Sequence, residues 1–232
     1  MNGTDRTGLL AVLLFAIAVV AISRGDGPSD LLDVVVVGDS FAEQSGDQLL
    51  ALADDLDMRA EVYAFGGTSI CLWRGQLEEL AAREPQRLVL SFAGNDMDDC
   101  INPQQLQRTG EQVAEIYRTD LEWVLELYRA AGTDLYVVAP PPIQEPAFEA
   151  RAAAMRDMYN RFSVEHPSIG VIETFDQLGP DRQYHRELPC EADEPCGSDD
   201  MVTLREDDGI HLTPEGGKRY AQAIMGEVTG VP

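Results

Sequence analysis

Val34-Val35-Val36-Val37-Gly38-Asp39-Ser40 is the stretch of this sequence that decides the fold. Four consecutive β-branched residues predict a strand that is buried on both faces, as in a parallel sheet covered by helices on both sides. The serine follows at once, so Ser40 is expected at the carboxyl end of the strand, where ligands bind in such sheets. A serine in that place is a candidate nucleophile, provided that a histidine can take its proton.

The rest of the chain alternates strand and helix patterns. Short apolar runs predict further strands, and longer segments with apolar residues at helical spacing predict helices. The predicted strands are 33–37, 60–65, 88–92, 135–139 and 169–173, and the predicted helices are 41–56, 103–131, 148–165 and one that begins at Thr213-Pro214-Glu215. This order is typical of α/β domains. We therefore predict a three-layer α/β/α sandwich around a five-stranded, mainly parallel, doubly wound sheet.

Three further motifs lie beside predicted elements. Gly66-Gly67 follows the second strand, Gly94-Asn95-Asp96 follows the third, and Asp208-Gly209-Ile210-His211 precedes the last helix. A histidine can activate a serine hydroxyl, and an aspartate can hold the required tautomer of that histidine. Glycine N–H groups and an asparagine amide can bind the negative charge that develops on an acyl carbonyl oxygen. Together the motifs contain the groups that acyl transfer through a serine requires.

In this order, and with these residues, the chain resembles the SGNH hydrolase superfamily, also called GDSL-type esterases. The resemblance covers residues 32–226 and implies a flavodoxin-like SGNH fold. It also implies that Ser40 is the nucleophile, that His211 is the general base and that Asp208 orients the histidine.

The same resemblance implies an oxyanion hole formed by Ser40, Asn95 and a glycine of the second motif. That motif reads Gly-Gly-Thr-Ser, which leaves open whether Gly67 or Gly66 is the donor. The first motif has Phe41 after the serine, where the family often has leucine.

Several neighbouring residues have two interpretations. Asp39 and Trp73 are candidates for substrate binding, although Asp39 is also typical of a structural hydrogen-bonding residue and Trp73 of a core residue. Asp96 is interpreted as structural. His166 and His185 are interpreted as surface residues, because neither lies in an Asp-x-x-His motif.

The charge of the chain excludes one class of partner. The net charge is −24, from 41 acidic and 17 basic residues, and Lys218 is the one lysine. Repulsion opposes binding to nucleic acid or to anionic membrane surfaces.

The amino-terminal segment predicts export. Residues 8–22 form an uncharged apolar run, which is short for a membrane-spanning helix and slightly long for the apolar region of a signal peptide. We interpret residues 1–23 as a signal anchor, with a helix at about 8–23, or alternatively as a signal peptide. Residues 24–31 are then a short tether, and residues 32–232 are the SGNH hydrolase domain. The expected location is the cell membrane with the catalytic domain outside the cytoplasm, or alternatively secretion.

Four cysteines agree with export, because disulfides persist in oxidising compartments. We expect Cys71 to pair with Cys100, since both follow loops at the carboxyl edge of the sheet, and Cys190 to pair with Cys196. Three pairings are possible in principle. The second pair lies in an acidic segment, 176–208, which is interpreted either as a stapled loop beside the pocket or as a solvated insertion. No residue cluster predicts a metal site or a cofactor.

Three functions are compatible with these motifs. The first is an esterase, for example an O-deacetylase or another carbohydrate or lipid esterase, that acts on a small-molecule, glycan or lipid ester. The second is an O-acyltransferase to a cell-envelope glycan, which would use the same triad. The third is an inactive glycan-binding module, against which the intact set of Ser40, Asn95, Asp208 and His211 argues.

Overall fold

The structure is a computed structural model that describes residues 32–192, 194–197 and 199–230. A central sheet is formed by the strands β1 (Val34–Gly38), β2 (Ala60–Ala64), β3 (Arg87–Ser91), β4 (Asp134–Val138) and β5 (Ile169–Ile172). The helices are α1 (Ser40–Asp55), α2 (Arg74–Ala81), α3 (Gly110–Arg129), α4 (Pro146–Glu165), α5 (Phe175–Leu178) and α6 (Pro214–Thr229). A short hairpin contains β6 (Glu187–Pro189) and β7 (Met201–Thr203).

The five strands of the central sheet are parallel and lie in the order β2-β1-β3-β4-β5. Val36 of β1 lies opposite Val62 of β2 and Val89 of β3. The predicted five-stranded doubly wound sheet is therefore confirmed. Its carboxyl edge carries the Ser40, Gly66-Gly67 and Asn95 motifs, since each follows the end of a strand.

The valines of β1 belong to two hydrophobic cores. Val35 and Val37 point to one side and belong to a cluster with buried residues of α2, α3 and α4. Val34 and Val36 point to the other side and belong to a cluster with residues of α1 and α6. Alternation of side chains along a strand explains why a continuous apolar run serves a sheet that is covered on both faces.

The third helix is shorter than predicted. The helix predicted over 103–131 begins at Gly110, and Pro103 does not open it. Thr109 accepts a hydrogen bond from the Gln112 amide, and the Gln112 side chain accepts one from the Thr109 amide. This capping box fixes the start of the helix, which helical spacing alone could not locate. The 3₁₀ turn Ile70–Trp73 and helix α2 were not predicted.

The acidic segment 176–208 contains regular structure that its composition did not indicate. Strands β6 and β7 pair in an antiparallel hairpin, and the Cys190–Cys196 disulfide lies between them along the chain. The Cys71–Cys100 disulfide joins the two loops that carry the glycine and asparagine motifs, with 6.1 Å between the Cα atoms. Both predicted pairings are confirmed.

The predicted anchor and tether, residues 1–31, lie outside the described residues. Within the part of the chain that the structure describes, no helix is long and apolar enough to cross a membrane.

Candidate active site

Ser40 is the first residue of helix α1, directly after a tight turn from β1. A side chain at Gly38 would lie 2.5 Å from the Ser91 carbonyl oxygen and 2.6 Å from Cβ of Ala42, so glycine is required there. Asp39 caps the helix by accepting a hydrogen bond from the Phe41 amide. The amide of Ser40 has no acceptor among the described residues, and it lies at the positive end of the helix dipole.

Asp208 and His211 form a hydrogen-bonded pair. Asp208 Oδ2 lies 2.6 Å from His211 Nδ1, while Asp208 Oδ1 accepts from the amides of Ile210 and His211 at 2.9 and 3.0 Å. Burial acts to raise the pKa of Asp208, but the hydrogen bonds from His211 and Ile210 outweigh it and hold this pKa below its ordinary value. When the ionised Asp208 accepts a hydrogen bond from Nδ1–H, Nε2 of the imidazole is left as a proton acceptor.

Gln44 connects helix α1, which begins with Ser40, to residues 208–212, which we call the histidine segment. Gln44 lies one helical turn after Ser40, on the same face of α1. Its Oε1 accepts a hydrogen bond of 2.9 Å from the amide of Leu212, the residue after His211. The charge of His211 also contributes to the pKa of Asp39, the neighbour of Ser40. The hydrogen bond of Gln44 places the segment that carries Asp208 and His211 beside the first turn of α1, which begins with Ser40.

The buried side chain of Arg205 holds the backbone of the histidine segment through a hydrogen bond. Its guanidinium is fully buried and donates to the carbonyl oxygens of Ile210 and Pro142, each at 2.9 Å. It also lies 5.8 Å from the ring centroid of Phe41, which follows Ser40. Burial lowers the pKa of Arg205 to about 10, so the side chain stays charged at neutral pH.

Asn95 is held beside the site by Asp39. The Asn95 side-chain amide donates to Asp39 Oδ2 at 2.9 Å and makes a longer contact of 3.4 Å with the Thr68 carbonyl oxygen. Asp39 Oδ2 also accepts from the Ala93 amide at 2.8 Å. Burial raises the pKa of Asp39 to about 6, although its hydrogen bonds act to lower it.

The glycine motif forms a β-turn. The amide of Thr68 donates to the Phe65 carbonyl oxygen at 3.4 Å, and Gly67 has a φ of 79°, which favours glycine. A Cβ on Gly66 would lie 3.6 Å from Cβ of Ser40, so the turn adjoins the serine.

The two glycines of this turn differ in their hydrogen bonding. The Gly66 amide donates to Glu43 Oε2 at 2.8 Å, whereas the Gly67 amide has no acceptor among the described residues. Of the two candidate donors, Gly67 therefore carries the available N–H in this structure.

The two residues considered for substrate binding are buried. Asp39 has no exposed surface, and Trp73 is 7% exposed. The indole N–H of Trp73 donates to Thr68 Oγ1, which in turn donates to the Phe65 carbonyl oxygen. Both side chains are buried against the loops that carry the glycine and asparagine motifs, and their hydrogen bonds hold these loops.

The other polar residues considered from the sequence have local partners. Asp96 accepts from Arg151 at 2.6 Å. His185 pairs with Asp181, and His166 packs against the ring of Phe162. None of the described residues forms a group of three or more histidine, cysteine or acidic side chains that could hold a metal ion.

Comparison with known families gives the classification. A family model described as "Protein of unknown function (DUF459)" matches residues 33–227. The chain belongs to the DUF459 family. Comparison of this DUF459 chain with curated proteins gives no match.

Solved structures share the fold of this DUF459 protein. A member of the lipolytic protein G-D-S-L family from Veillonella parvula DSM 2008 has 14% sequence identity and a TM-score of 0.58, covering 87% of this chain and 100% of the other. The acetyl xylan esterase AlAXEase has 13% identity and a TM-score of 0.60, covering 84% and 99%. A variant of Axe2, an acetyl-xylooligosaccharide esterase from Geobacillus Stearmophilus, has 13% identity and a TM-score of 0.59, covering 88% and 95%. The fold implied by the four sequence motifs is confirmed.

Several residues of the site were not found from the sequence. Glu43 and Gln44 lie three and four residues after Ser40, so helical spacing could have indicated that they face the same side. Arg205 is distant from Ser40 along the chain, and no local pattern indicated its burial.

Proposed function

We propose that this protein is a serine hydrolase that cleaves ester bonds through an acyl-enzyme intermediate. The observation that carries the proposal is the 2.6 Å contact between Asp208 and His211, which Gln44 ties to the turn of α1 that begins with Ser40. The GDSL-family and acetyl xylan esterase structures of the same fold support an ester-acting enzyme.

In the proposed reaction, Ser40 attacks the ester carbonyl carbon while His211 Nε2 removes the hydroxyl proton. Asp208 stabilises the imidazolium that forms. His211 then donates the proton to the leaving alcohol oxygen, and a water molecule repeats the sequence on the acyl-enzyme to release the acid and free Ser40.

The developing oxyanion is stabilised by three donors in this proposal. They are the amides of Ser40 and Gly67, which have no acceptor among the described residues, and the side-chain amide of Asn95. The weak 3.4 Å contact of Asn95 with the Thr68 carbonyl is the one that an oxyanion would replace. Each such donor contributes about 10²–10³-fold to turnover in related chemistry.

We also propose that the substrate is an ester of a glycan or a lipid outside the cytoplasm. The two disulfides support an oxidising location, and two of the structures with the same fold are acetylated-xylan esterases. The membrane anchor remains a prediction from residues 8–22 alone.

The test is the hydrolysis of p-nitrophenyl acetate by the wild-type chain and by Ser40→Ala. We expect turnover in the wild type, its loss in the variant, and covalent labelling of Ser40 by a fluorophosphonate, located by mass spectrometry. A glycan acceptor added to the same assay distinguishes hydrolysis from acyl transfer, since transfer would give an acylated sugar. Hydrolysis that survives in Ser40→Ala would overturn the proposed mechanism.

A further inference from the structure

A cavity of about 810 Å³ lies beside helix α3. Its walls are the Cys71–Cys100 disulfide, the first half of α3, and single residues of α2 and of the segment before α3. Cavities of about 300–1,000 Å³ are typical of sites that bind small organic molecules. None of the residues proposed for ester cleavage lines this cavity, which is therefore distinct from the proposed active site.

The cavity adjoins two loops of the proposed active site. The disulfide in its wall joins the loop of the glycine motif to the loop of the asparagine motif. Tyr117 of α3 donates a hydrogen bond of 2.9 Å to the Asn95 carbonyl oxygen. A ligand in the cavity would therefore lie near the proposed active site without being part of it.

Two arginines line the cavity, and they differ in their partners. Arg74 donates to Asp120 at 2.8 Å, and its guanidinium lies 4.9 Å from the ring centroid of Trp123. Arg108 has no ion pair with any residue that the structure describes, and its Nη1 is shielded from solvent without an acceptor. The charge of Arg74 is thus compensated, whereas that of Arg108 is not.

The uncompensated guanidinium of Arg108 indicates an anionic ligand. A shielded N–H group without an acceptor costs free energy. Because no hydrogen bond holds the Arg108 side chain, it can turn its N–H groups toward an anion in the cavity. A carboxylate matches the planar guanidinium through two parallel hydrogen bonds. Arg108 is therefore the candidate partner of a ligand carboxylate.

The acidic groups around Arg108 favour a singly charged ligand. Glu115 and Asp120 also line the cavity, although Asp120 is paired with Arg74. The whole chain has a net charge of −24. Repulsion from Glu115 and from the rest of the chain is stronger for phosphate, which carries more negative charge, than for a single carboxylate.

The face of α3 in the cavity provides hydrogen-bonding groups for a ligand with several hydroxyls. Gln112, Glu115 and Thr119 are three or four residues apart and lie on one side of the helix. The Gln112 carbonyl oxygen accepts from the Thr109 amide, which leaves the NH₂ group of Gln112 to donate. The Thr119 hydroxyl donates to the Glu115 backbone carbonyl oxygen at 3.2 Å, which leaves its oxygen to accept. Ile116 adds an apolar contact, so this face suits the hydroxyl and C–H groups of a sugar.

We propose that this cavity binds a sugar that carries a carboxylate, such as a hexuronate unit of an acidic glycan. Arg108 binds the carboxylate, and the polar side chains of α3 bind the hydroxyls. The proposal concerns binding alone. It goes beyond the proposed ester cleavage and does not depend on it.

The experiment measures the binding of glucuronate, glucose and inorganic phosphate to the full chain by ligand-observed NMR titration. We expect saturable binding of glucuronate, and binding of glucose and of phosphate that is weaker by about tenfold or more. Arg108→Gln should weaken glucuronate binding by about tenfold or more. Arg129→Gln is the matched control, because Arg129 is exposed in the last turn of the same helix, outside the cavity, and this variant removes the same charge.

Four outcomes would overturn the proposal. They are the absence of glucuronate binding to the wild type, equal binding of glucose, equal binding of phosphate, and an equal loss of binding in Arg108→Gln and Arg129→Gln. The first removes the site, the second removes the role of the carboxylate, the third reduces the site to one for simple anions, and the fourth shows an effect of net charge. Thermal melting of both variants verifies that they are folded.

Ser40→Ala separates this inference from the proposed function. The variant should bind glucuronate as tightly as the wild type, because Ser40 does not line the cavity. Loss of binding in Ser40→Ala would place the sugar in the proposed active site and overturn the cavity as its site. Failure of the wild type to hydrolyse esters would overturn the proposed function and leave the binding result unchanged.

Discussion

The buried carboxylate of Asp39 connects the start of helix α1, where Ser40 lies, to the side chain of Asn95. One of its oxygens accepts from the Phe41 amide and caps α1, and the other accepts from the Ala93 amide and the Asn95 side chain. A displacement of Asp39 would therefore alter both the start of the helix and the direction of the Asn95 amide. At this scale, the site depends on side chains that a substrate does not touch.

Replacement of Asn95 by alanine should lower kcat for p-nitrophenyl acetate by about 10²–10³-fold, because one donor to the oxyanion is lost. Steady-state kinetics at saturating substrate measure this change. Asn160→Ala is the control, since Asn160 is exposed on α4, and its kcat should equal that of the wild type. A loss of less than tenfold in Asn95→Ala would contradict an oxyanion role for this side chain.

Asp39 should make stability depend on pH. Its pKa is raised from 3.8 to about 6 in the folded protein, so ionisation of Asp39 opposes folding. The stability that protonated Asp39 contributes is complete below pH 3.8. This stability is lost as the pH rises through 6. The shift corresponds to about 3 kcal/mol at most.

The comparison that isolates this effect is the free energy of unfolding of the wild type and of Asp39→Asn, measured with denaturant from pH 4 to pH 7.5. The advantage of the wild type over the variant should shrink by up to about 3 kcal/mol as the pH rises. A constant difference across this range would show that the buried carboxylate does not titrate as expected.

At the scale of elements, helix packing determines where the histidine lies. Helix α6 follows the histidine segment and packs closely on α1, where a side chain at Gly217 would lie 2.7 Å from the Gln44 carbonyl oxygen. The Gln44 side chain and the buried Arg205 then hold the backbone on both sides of His211. The Asp208–His211 pair is therefore positioned by two helices and one buried cation.

Removal of the Gln44 side chain should test whether Gln44 positions His211, apart from any effect on folding. We expect Gln44→Ala to lower kcat by about tenfold or more with little change in KM, because a small misplacement of a catalytic group is costly. Gln44→Glu keeps an acceptor for the Leu212 amide and should restore most of the activity. Thermal melting of both variants provides the structural control, and equal kcat values for the two would argue against this positioning role.

At the scale of the whole molecule, the two disulfides cross-link segments of different length. Cys71 and Cys100 are 29 residues apart in the chain, whereas Cys190 and Cys196 are 6 apart. A cross-link stabilises mainly by restricting the unfolded chain, so the longer loop should contribute more.

The double variant Cys71→Ser with Cys100→Ser should lower the free energy of unfolding by about 3.6 kcal/mol, and Cys190→Ser with Cys196→Ser by about 2.2 kcal/mol. Denaturant titrations of both double variants measure the difference. The first should also reduce kcat, because its disulfide joins the loops that carry Gly67 and Asn95. A larger loss of stability from the short loop would contradict the chain-entropy explanation.

The sheet could be predicted from local patterns, and so could the position of three motifs along one edge of it. The valine run in β1 has to be buried on both faces, and residues at the carboxyl ends of neighbouring parallel strands have to share an edge. The start of α3 could not be predicted, since it depends on the reciprocal hydrogen bonds of Thr109 and Gln112. The hairpin in 176–208 was missed because its two strands have three residues each, too few to show a period.

The sequence by itself determined the doubly wound fold, because apolar periodicity and the ends of the strands predict it. The candidate serine, histidine and aspartate came from the resemblance of the four motifs to GDSL-type esterases. Only the tertiary structure decided which glycine carries the available amide, and that Asp39 and Trp73 are buried against the loops that follow β2 and β3. These properties arise from contacts between segments that are distant in the chain, and such contacts leave no periodic signal in a single sequence.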